Sequence, residues 1–191
     1  MDLKAQLLSL LCEKSFFQGE FTLTSGKKSN YYIDMKATLT HPQGAALIGD
    51  LLLDRIAALP YRVAAIGGMA LGAVPVVMTV VARSEMKGLP IPGFWVRPER
   101  KDHGHGKRIE GYLSPDAHVI LVDDVVTTAG STVKCLDAIR EEFPLVSVTD
   151  TFAVVDRNEG GRENLAARGI KLNALITVDE LFSHAKEMGK Q

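Results

Sequence analysis

Two adjacent carboxylates follow an apolar run in the segment VILVDDVVTTAGST, which spans residues 119–132. The run 119–122 is typical of a buried strand, so Asp123 and Asp124 are expected at its carboxyl end. Ligands of open parallel sheets bind beyond this end of the strands. Successive strand residues point to opposite faces, so the two carboxylates should have different tasks unless the chain bends. One suits a ribose diol, and the other suits a metal ion or backbone N–H groups.

Small and hydroxyl-bearing residues come next, at 127–131. Small side chains allow the backbone to approach a ligand closely, and the hydroxyl groups add hydrogen-bond donors. A helix is predicted to follow over 130–142, and the free N–H groups and positive dipole at its start suit a phosphate. A plain surface turn with a solvent-facing acid pair would have the same local pattern. The residues of this segment leave both interpretations open.

A basic segment without apolar periodicity, RPERKDHGHGKRIEG, spans residues 97–111 and predicts a long polar loop. Its first twelve residues contain five Lys or Arg, two acids and two histidines. Such a loop is commonly solvated surface. Its basic residues could also serve a small anionic ligand. The His103-x-His105 spacing could suggest a metal, but a permanent metal site is not expected in so basic a loop.

Strands alternate with helices along the rest of the chain. Strands are predicted at 63–68, 91–96, 118–122, 145–155 and 170–176, and two more within 21–34. Helices are predicted at 2–15, after the N-cap Thr40, and at 71–84, 130–142, 161–168 and from 178. Because the longer strands are apolar throughout, we predict an α/β fold with a central, mostly parallel sheet flanked by helices on both faces.

Composition limits the class of protein. The length of 191 residues predicts a single domain over 1–191. The net charge of −1 gives no electrostatic case for nucleic acid, and no apolar run is long enough to predict a membrane span. Cys12 and Cys135 lie in predicted helices and are expected to be buried hydrophobic residues. With no signal peptide recognisable at the N-terminus, these features predict a cytoplasmic protein.

The opening segment resembles the phosphoribosyl pyrophosphate (PRPP) signature of the type I phosphoribosyltransferases. The resemblance implies that fold, with the two acids holding the ribose hydroxyls and the following loop holding the 5′-phosphate. It differs from the Walker loop and from the G-x-G-x-x-G fingerprint. The PRPP-binding residues implied in this segment are Asp123, Asp124, Val125, Val126, Thr127, Thr128, Ala129, Gly130 and Ser131.

Three other segments resemble the orotate phosphoribosyltransferases within that family. GEFTLTSGKKSNYYID (19–34) resembles their N-terminal hood, and VVDRNEGG (154–161) resembles their orotate-contacting segment. The basic segment resembles their mobile loop, with Lys101, Asp102, His103 and Gly104 as its core. The resemblance therefore implies a hood segment at 1–40 and a core at 41–191 that carries a mobile loop at 97–110.

The reaction that this resemblance implies is transfer of ribose 5-phosphate from PRPP to orotate, which gives orotidine 5′-monophosphate and pyrophosphate in UMP biosynthesis. Orotate would contact Thr127 and Arg157, while Lys101 and His103 would contact PRPP and provide the proton, with Arg97 beside them. Asp123 and Asp124 would complete the catalytic set. Mg²⁺ would be held mainly by PRPP and water rather than by a protein ligand set. A homodimer is implied, because the loop serves the neighbouring subunit's site.

Two further features have two interpretations each. Gly67, Gly68 and Gly72 fit either close helix–strand packing or a pyrophosphate loop. Tyr31 and Tyr32 fit either a pyrimidine stack or the core. Relatives often have a cation where this chain has Thr24, Leu71 and Pro98, so side-chain phosphate contacts are not expected at those three positions.

Two other functions fit part of the pattern. A phosphoribosyltransferase for another base would not need Arg157 or the hood. A PRPP-sensing regulator would keep the fold and bind nucleic acid, which the near-neutral charge disfavours.

Overall fold

The computed structural model describes residues 2–22, 26, 28–99 and 107–189. These residues form seven helices and eight strands. The helices are α1 (Leu3–Lys14), α2 (Met35–Leu39), α3 (Pro42–Ala57), α4 (Ala73–Met86), α5 (Gly130–Glu142), α6 (Gly161–Ala166) and α7 (Val178–Glu187). The strands are β1 (Phe16–Thr22), β2 (Lys28–Ile33), β3 (Ala65–Met69), β4 (Gly93–Val96), β5 (Ile109–Gly111), β6 (His118–Val126), β7 (Ser147–Asp156) and β8 (Lys171–Thr177).

Six strands form the central sheet in the order β5-β4-β3-β6-β7-β8. All neighbouring pairs are parallel except β4 with β5. Parallel strands need crossover connections, and the helices between them supply these and cover the sheet. The predicted α/β fold with a mostly parallel sheet is confirmed.

Two apolar clusters lie on opposite faces of this sheet. One joins α1, α3, α4 and α7 to residues of β3, β6, β7 and β8. The other joins α5 and α6 to the remaining strand residues, with Phe94 and Leu121 among them. The side chains of Cys12 and Cys135 are both buried, as predicted. No helix among the described residues is long and apolar enough to cross a membrane.

The N-terminal segment forms a helix followed by a two-stranded antiparallel hairpin. Helix α1 buries Leu7, Leu10 and Leu11, and contacts both α3 and α7. The hairpin is tied to the core by Phe16, whose ring meets Phe182 of α7 edge-on with centroids 5.0 Å apart. The segment predicted as a hood is therefore packed onto the core through its helix and through aromatic contacts.

Three sequence predictions about elements were wrong. Thr40 is not the N-cap of α3 but the C-cap of the short helix α2, where its hydroxyl donates to the carbonyl of Lys36 at 2.7 Å. His41 occupies the N-cap of α3, with Pro42 in the first turn. The segment 97–111 was expected to be loop throughout, but its last residues form β5, whose backbone pairs with β4. Strand β6 also continues through both aspartates to Val126 instead of ending before them.

The paired glycines of β3 permit close packing on both faces of the sheet. A Cβ atom built on Gly67 would lie within about 2.3 Å of the Phe94 ring, and one on Gly68 would meet the carbonyl oxygen of Val122 at the same separation. Since neither separation is possible between non-bonded atoms, these two glycines have a packing role. Gly72 differs, because its Cβ would face the carboxylate of Asp124.

We expect Gly67→Ala to lower the free energy of unfolding by about 1–3 kcal/mol, because the added methyl group overpacks a closed core. Urea denaturation monitored by circular dichroism would measure the loss. The double variant Gly67→Ala/Phe94→Leu gives the methyl group room, so it should be less destabilised than the sum of the two single variants. Strict additivity would show that the Phe94 ring is not the obstacle.

Candidate active site

The two aspartates at the end of β6 have different surroundings. Asp123 is 6% exposed and accepts hydrogen bonds at Oδ2 from the hydroxyls of Ser131 (2.6 Å) and Thr132 (3.3 Å). Asp124 is half-buried on the other face, and its Oδ1 accepts from the N–H of Val125 at 2.9 Å. Its Oδ2 has no hydrogen-bond partner among the described residues. The structure thus separates an internally bonded carboxylate from one that is open to a ligand.

Burial changes the ionisation of the first aspartate. Loss of solvation raises the pKa of Asp123 to about 7, the Ser131 hydrogen bond opposes this rise, and the adjacent charge of Asp124 adds to it. In the unliganded protein, Asp123 therefore exchanges its proton near neutral pH. New hydrogen-bond donors or a cation nearby would favour its ionised form.

The loop between β6 and α5, residues 127–129, lies against the start of α5, and the two together are called the cradle. Ala129 adopts a left-handed conformation with φ 62°, and α5 begins directly after it at Gly130. The first N–H groups of α5 lack intrahelical acceptors, as at any helix start. They lie beside Thr127, which is half-buried, and Thr128, which is exposed. An anion bound here would receive backbone hydrogen bonds and the positive end of a 13-residue helix.

Helix α6, which lies between β7 and β8, packs against this loop. A Cβ atom on Gly161 would lie 2.5 Å from the carbonyl oxygen of Thr127, so only glycine permits the approach. The side chain of Asn164 donates through Nδ2 to the carbonyl oxygen of Thr128 at 3.0 Å. Sequence reasoning missed both contacts. The double glycine of VVDRNEGG was the available signal for Gly161, whereas nothing in the local pattern marked Asn164.

A second loop reaches the same edge after β3. Leu71 is 79% exposed, and the peptide bond that joins it to Ala70 is cis. Gly72 follows it, facing Asp124. This loop therefore lies beside the open carboxylate, and it offers backbone groups rather than a cationic side chain at position 71.

The two ends of the predicted mobile loop are fixed to each other. The N–H of Arg97 donates to the carbonyl of Arg108 at 2.9 Å, and Nε of Arg108 donates back to the carbonyl of Arg97 at 3.1 Å. The guanidinium of Arg97 is 3.4 Å from the carboxylate of Glu110. Lys101 and His103 lie outside the described residues, as do Thr24 and the rest of 100–106.

Arg157 follows β7, next to the cradle. Its backbone N–H donates to the carbonyl of Val126 at 2.9 Å, which holds it at the level of the aspartates. Its side chain is 9% exposed and pairs with Glu159 at 2.8 Å. Tyr31 of β2 contacts the same guanidinium, and its ring packs with Phe16 and Phe182, so Tyr31 belongs to the core. Tyr32, by contrast, is 39% exposed.

The described residues contain no cluster of three or more His, Cys, Asp or Glu side chains that could hold a metal ion. Among the described side chains of the site, Asp124 offers a carboxylate oxygen that has no hydrogen-bond partner. Hard cations such as Mg²⁺ accept such donors but complete their shell with water and substrate phosphates.

Comparison with known proteins gives the family. No model of a known protein family matches the chain. The chain is 42% identical to the orotate phosphoribosyltransferase of Methanocaldococcus jannaschii, over 96% of its length and 99% of the relative. It is 40% identical to that of Rhodopirellula baltica, over 91% of both chains. It belongs to the orotate phosphoribosyltransferase family.

Solved structures of orotate phosphoribosyltransferases share the fold. The Mycobacterium tuberculosis enzyme in complex with Fe(III) dicitrate superposes with a TM-score of 0.82 at 30% identity, covering 94% of this chain and 99% of that one. The same enzyme in complex with PRPP gives a TM-score of 0.79 at 29% identity, with 95% and 99% coverage. An adenine phosphoribosyltransferase from Trypanosoma brucei, at 12% identity and a TM-score of 0.67, shares the fold alone.

The ionisation of Asp123 predicts how the stability of this orotate phosphoribosyltransferase family member depends on pH. The folded pKa lies above the ordinary value of 3.8, so the fold favours the protonated acid. The contribution of Asp123 to the free energy of unfolding is fully present below the pKa that the group has in the unfolded chain. This contribution is lost as pH rises through the folded pKa of about 7. Without ligands, the wild type should lose stability relative to Asp123→Asn as pH rises, by on the order of a few kcal/mol.

Urea unfolding of both proteins between about pH 5 and pH 8 measures this difference. Asn cannot titrate, so the other ionisable groups cancel in the comparison. A difference between the two proteins that stays constant with pH would contradict the raised pKa.

Proposed function

We propose that the protein catalyses transfer of the 5-phosphoribosyl group of PRPP to N1 of orotate, giving orotidine 5′-monophosphate and pyrophosphate in UMP biosynthesis. One observation carries the proposal. The hydrogen bond from Arg157 to Val126 joins an anion cradle and a buried arginine on neighbouring strands. A sugar phosphate at the cradle and a carboxylated base at the arginine would meet between them.

The two aspartates have separate roles in this proposal. Asp124 presents its unpartnered Oδ2 to the ribose hydroxyls of PRPP. Asp123 holds the hydroxyls of Ser131 and Thr132, and so fixes the first turn of α5 around the 5′-phosphate. Both carboxylates stabilise the positive charge that develops on the ribose ring in an oxocarbenium-like transition state.

The remaining contacts position the base and the leaving group. Thr127 and Arg157 bind orotate, with the arginine opposite the carboxylate. Arg97, Lys101 and His103 contact pyrophosphate, and Lys101 or His103 provides its proton. Orotate supplies its own nucleophile, so the protein acts through positioning and charge stabilisation.

Mg²⁺ is proposed as the required cofactor. The unpartnered oxygen of Asp124 fits a cation held mainly by PRPP and water. When bound, the ion would neutralise pyrophosphate and template its oxygens. Cys12 and Cys135 are buried in the core as small apolar side chains, which fits a reducing compartment and supports a cytoplasmic enzyme.

The direct test is an assay with purified protein, PRPP and Mg²⁺ that follows loss of the ultraviolet absorbance of orotate. Uracil, hypoxanthine and adenine serve as alternative bases. We expect magnesium-dependent turnover of orotate alone. Turnover of a purine instead would favour a phosphoribosyltransferase for another base. PRPP binding without turnover of any base would favour a PRPP-sensing regulator.

We expect Lys101→Ala to lower kcat by about 100-fold or more while the protein stays folded, since a positioned proton donor contributes that much. Lys107→Ala removes a lysine from the same basic segment and serves as the matched control, with kcat close to that of the wild type. Far-ultraviolet circular dichroism would check the fold. Unchanged turnover in Lys101→Ala would refute the role of the loop.

A homodimer is the second part of the proposal. Met78, Ala82 and Met86 recur every four residues on the exposed face of α4, with Leu89 just beyond. Leu71, beside the open carboxylate, begins this apolar stripe. A row of exposed apolar side chains suits an interaction site, and a two-fold axis would let two copies cover each other. The partner's loop between β4 and β5 would then lie close to the site.

Met78→Glu should break this dimer, because it introduces a charge into the apolar stripe. Size-exclusion chromatography with light scattering should give about twice 20.7 kDa for the wild type and about one chain mass for the variant. Turnover should fall with dissociation, since each site would lack its neighbour's loop. Leu145→Glu alters an apolar residue that is also exposed, between α5 and β7, and should leave both the mass and the turnover unchanged.

A further inference from the structure

Arg157 is held by two side chains from different parts of the fold. Its Nε–H donates to the hydroxyl oxygen of Tyr31 at 2.9 Å, and its Nη2 lies 2.8 Å from the carboxylate of Glu159. The guanidinium carbon is also 4.6 Å from the centre of the Tyr31 ring. The hydroxyl of Tyr31 donates in turn to Glu159 at 3.4 Å. These three groups form a closed network at the base end of the proposed site.

Tyr31 is itself rigidly placed. It is 8% exposed, and its ring lies 5.3 Å from that of Phe182 and 5.9 Å from that of Phe16. Burial raises the pKa of Tyr31, so the hydroxyl keeps its proton at neutral pH. A protonated tyrosine on fixed aromatic neighbours accepts from the arginine and donates to the glutamate at once.

The network leaves one edge of the arginine unused. The contacts of Arg157 with other described side chains use Nε and Nη2, while Nη1 has no partner among them. A guanidinium is planar, so fixing Nε and Nη2 also fixes the direction in which the Nη1 donors point. Glu159 alone could not do this, because it is an exposed side chain that contacts only one nitrogen.

We propose that Tyr31 is a positioning residue for orotate: its hydroxyl orients Arg157 so that the free guanidinium edge meets the carboxylate of the base. The inference rests on the proposed role of Arg157. It also gives the N-terminal hairpin a task in base recognition that does not require Tyr31 to touch the pyrimidine. Fixing the arginine should strengthen orotate binding, because a side chain that is already ordered loses less conformational entropy when it binds a carboxylate.

The test uses Tyr31→Phe, which removes only the hydroxyl and keeps the ring packed against Phe16 and Phe182. We expect KM for orotate to rise roughly tenfold, from the loss of one hydrogen bond to a charged group. KM for PRPP should change by less than about twofold, because the cradle lies on other elements. A purely structural role would instead lower stability and raise both KM values together.

Tyr61→Phe is the matched control. Tyr61 also has a bonded hydroxyl, which donates to Asp150 at 2.5 Å, but it stacks on His118 at the amino end of β6, opposite the end that carries the aspartates. Its KM values should equal those of the wild type, whatever stability it loses. A rise in the orotate KM of Tyr61→Phe equal to that of Tyr31→Phe would overturn the inference.

A double-variant cycle separates the inference from the proposal on which it rests. Arg157→Ala should raise KM for orotate, and Tyr31→Phe should then add nothing further. If Arg157→Ala raises KM but Tyr31→Phe does not, positioning by Tyr31 is refuted while the proposed site stands. If Arg157→Ala leaves orotate KM unchanged, the proposed base site and the inference both fail.

Discussion

The pairing of β6 with β7 is the constraint on which the candidate site depends. The two strands stay paired as far as Val126 and Asp156, beyond both aspartates. The hydrogen bond from Arg157 to Val126 continues this pairing by one residue. The cradle and the arginine therefore leave the sheet at the same level and side by side. A shift of one residue along β7 would turn the arginine to the other face of the sheet and away from the cradle.

This arrangement requires a carboxylate to be buried at the end of a strand, which is unfavourable unless it is hydrogen-bonded. Asp123 meets the requirement by accepting from Ser131 and Thr132 in the first turn of α5. The same two hydrogen bonds hold the first turn of α5 against Asp123. The contacts that offset the burial of the carboxylate therefore also set the position of the cradle. Gly161 and Asn164 complete the support from the other side of the loop. The cradle is thus rigid before any ligand arrives, as preorganised binding requires.

Much of the architecture could be predicted from the sequence, because apolar strands and amphipathic helices carry their own periodicity. Helix α5 was predicted with its correct bounds from its periodicity, although its N-cap, Ala129, makes no side-chain capping hydrogen bond. Strand β5 could not be predicted, because Ile109–Gly111 is short and is stabilised by pairing with β4 rather than by its own composition. The different tasks of Asp123 and Asp124 followed from strand alternation. Which aspartate has which task could not be predicted, because it depends on hydroxyl groups eight and nine residues later in the chain.

Tyr31 shows most clearly why a site cannot be derived from local patterns. Its position in a strand suggested either a core residue or a stacking partner for a pyrimidine, and its ring indeed packs in the core. The hydroxyl at the edge of that ring reaches an arginine 126 residues away along the chain. Only tertiary structure creates this contact, because α1 and the hairpin must dock before the two residues meet. The hairpin is therefore linked to the candidate site through a residue that is itself buried. In the role that we propose for Tyr31, one side chain serves both core packing and base recognition.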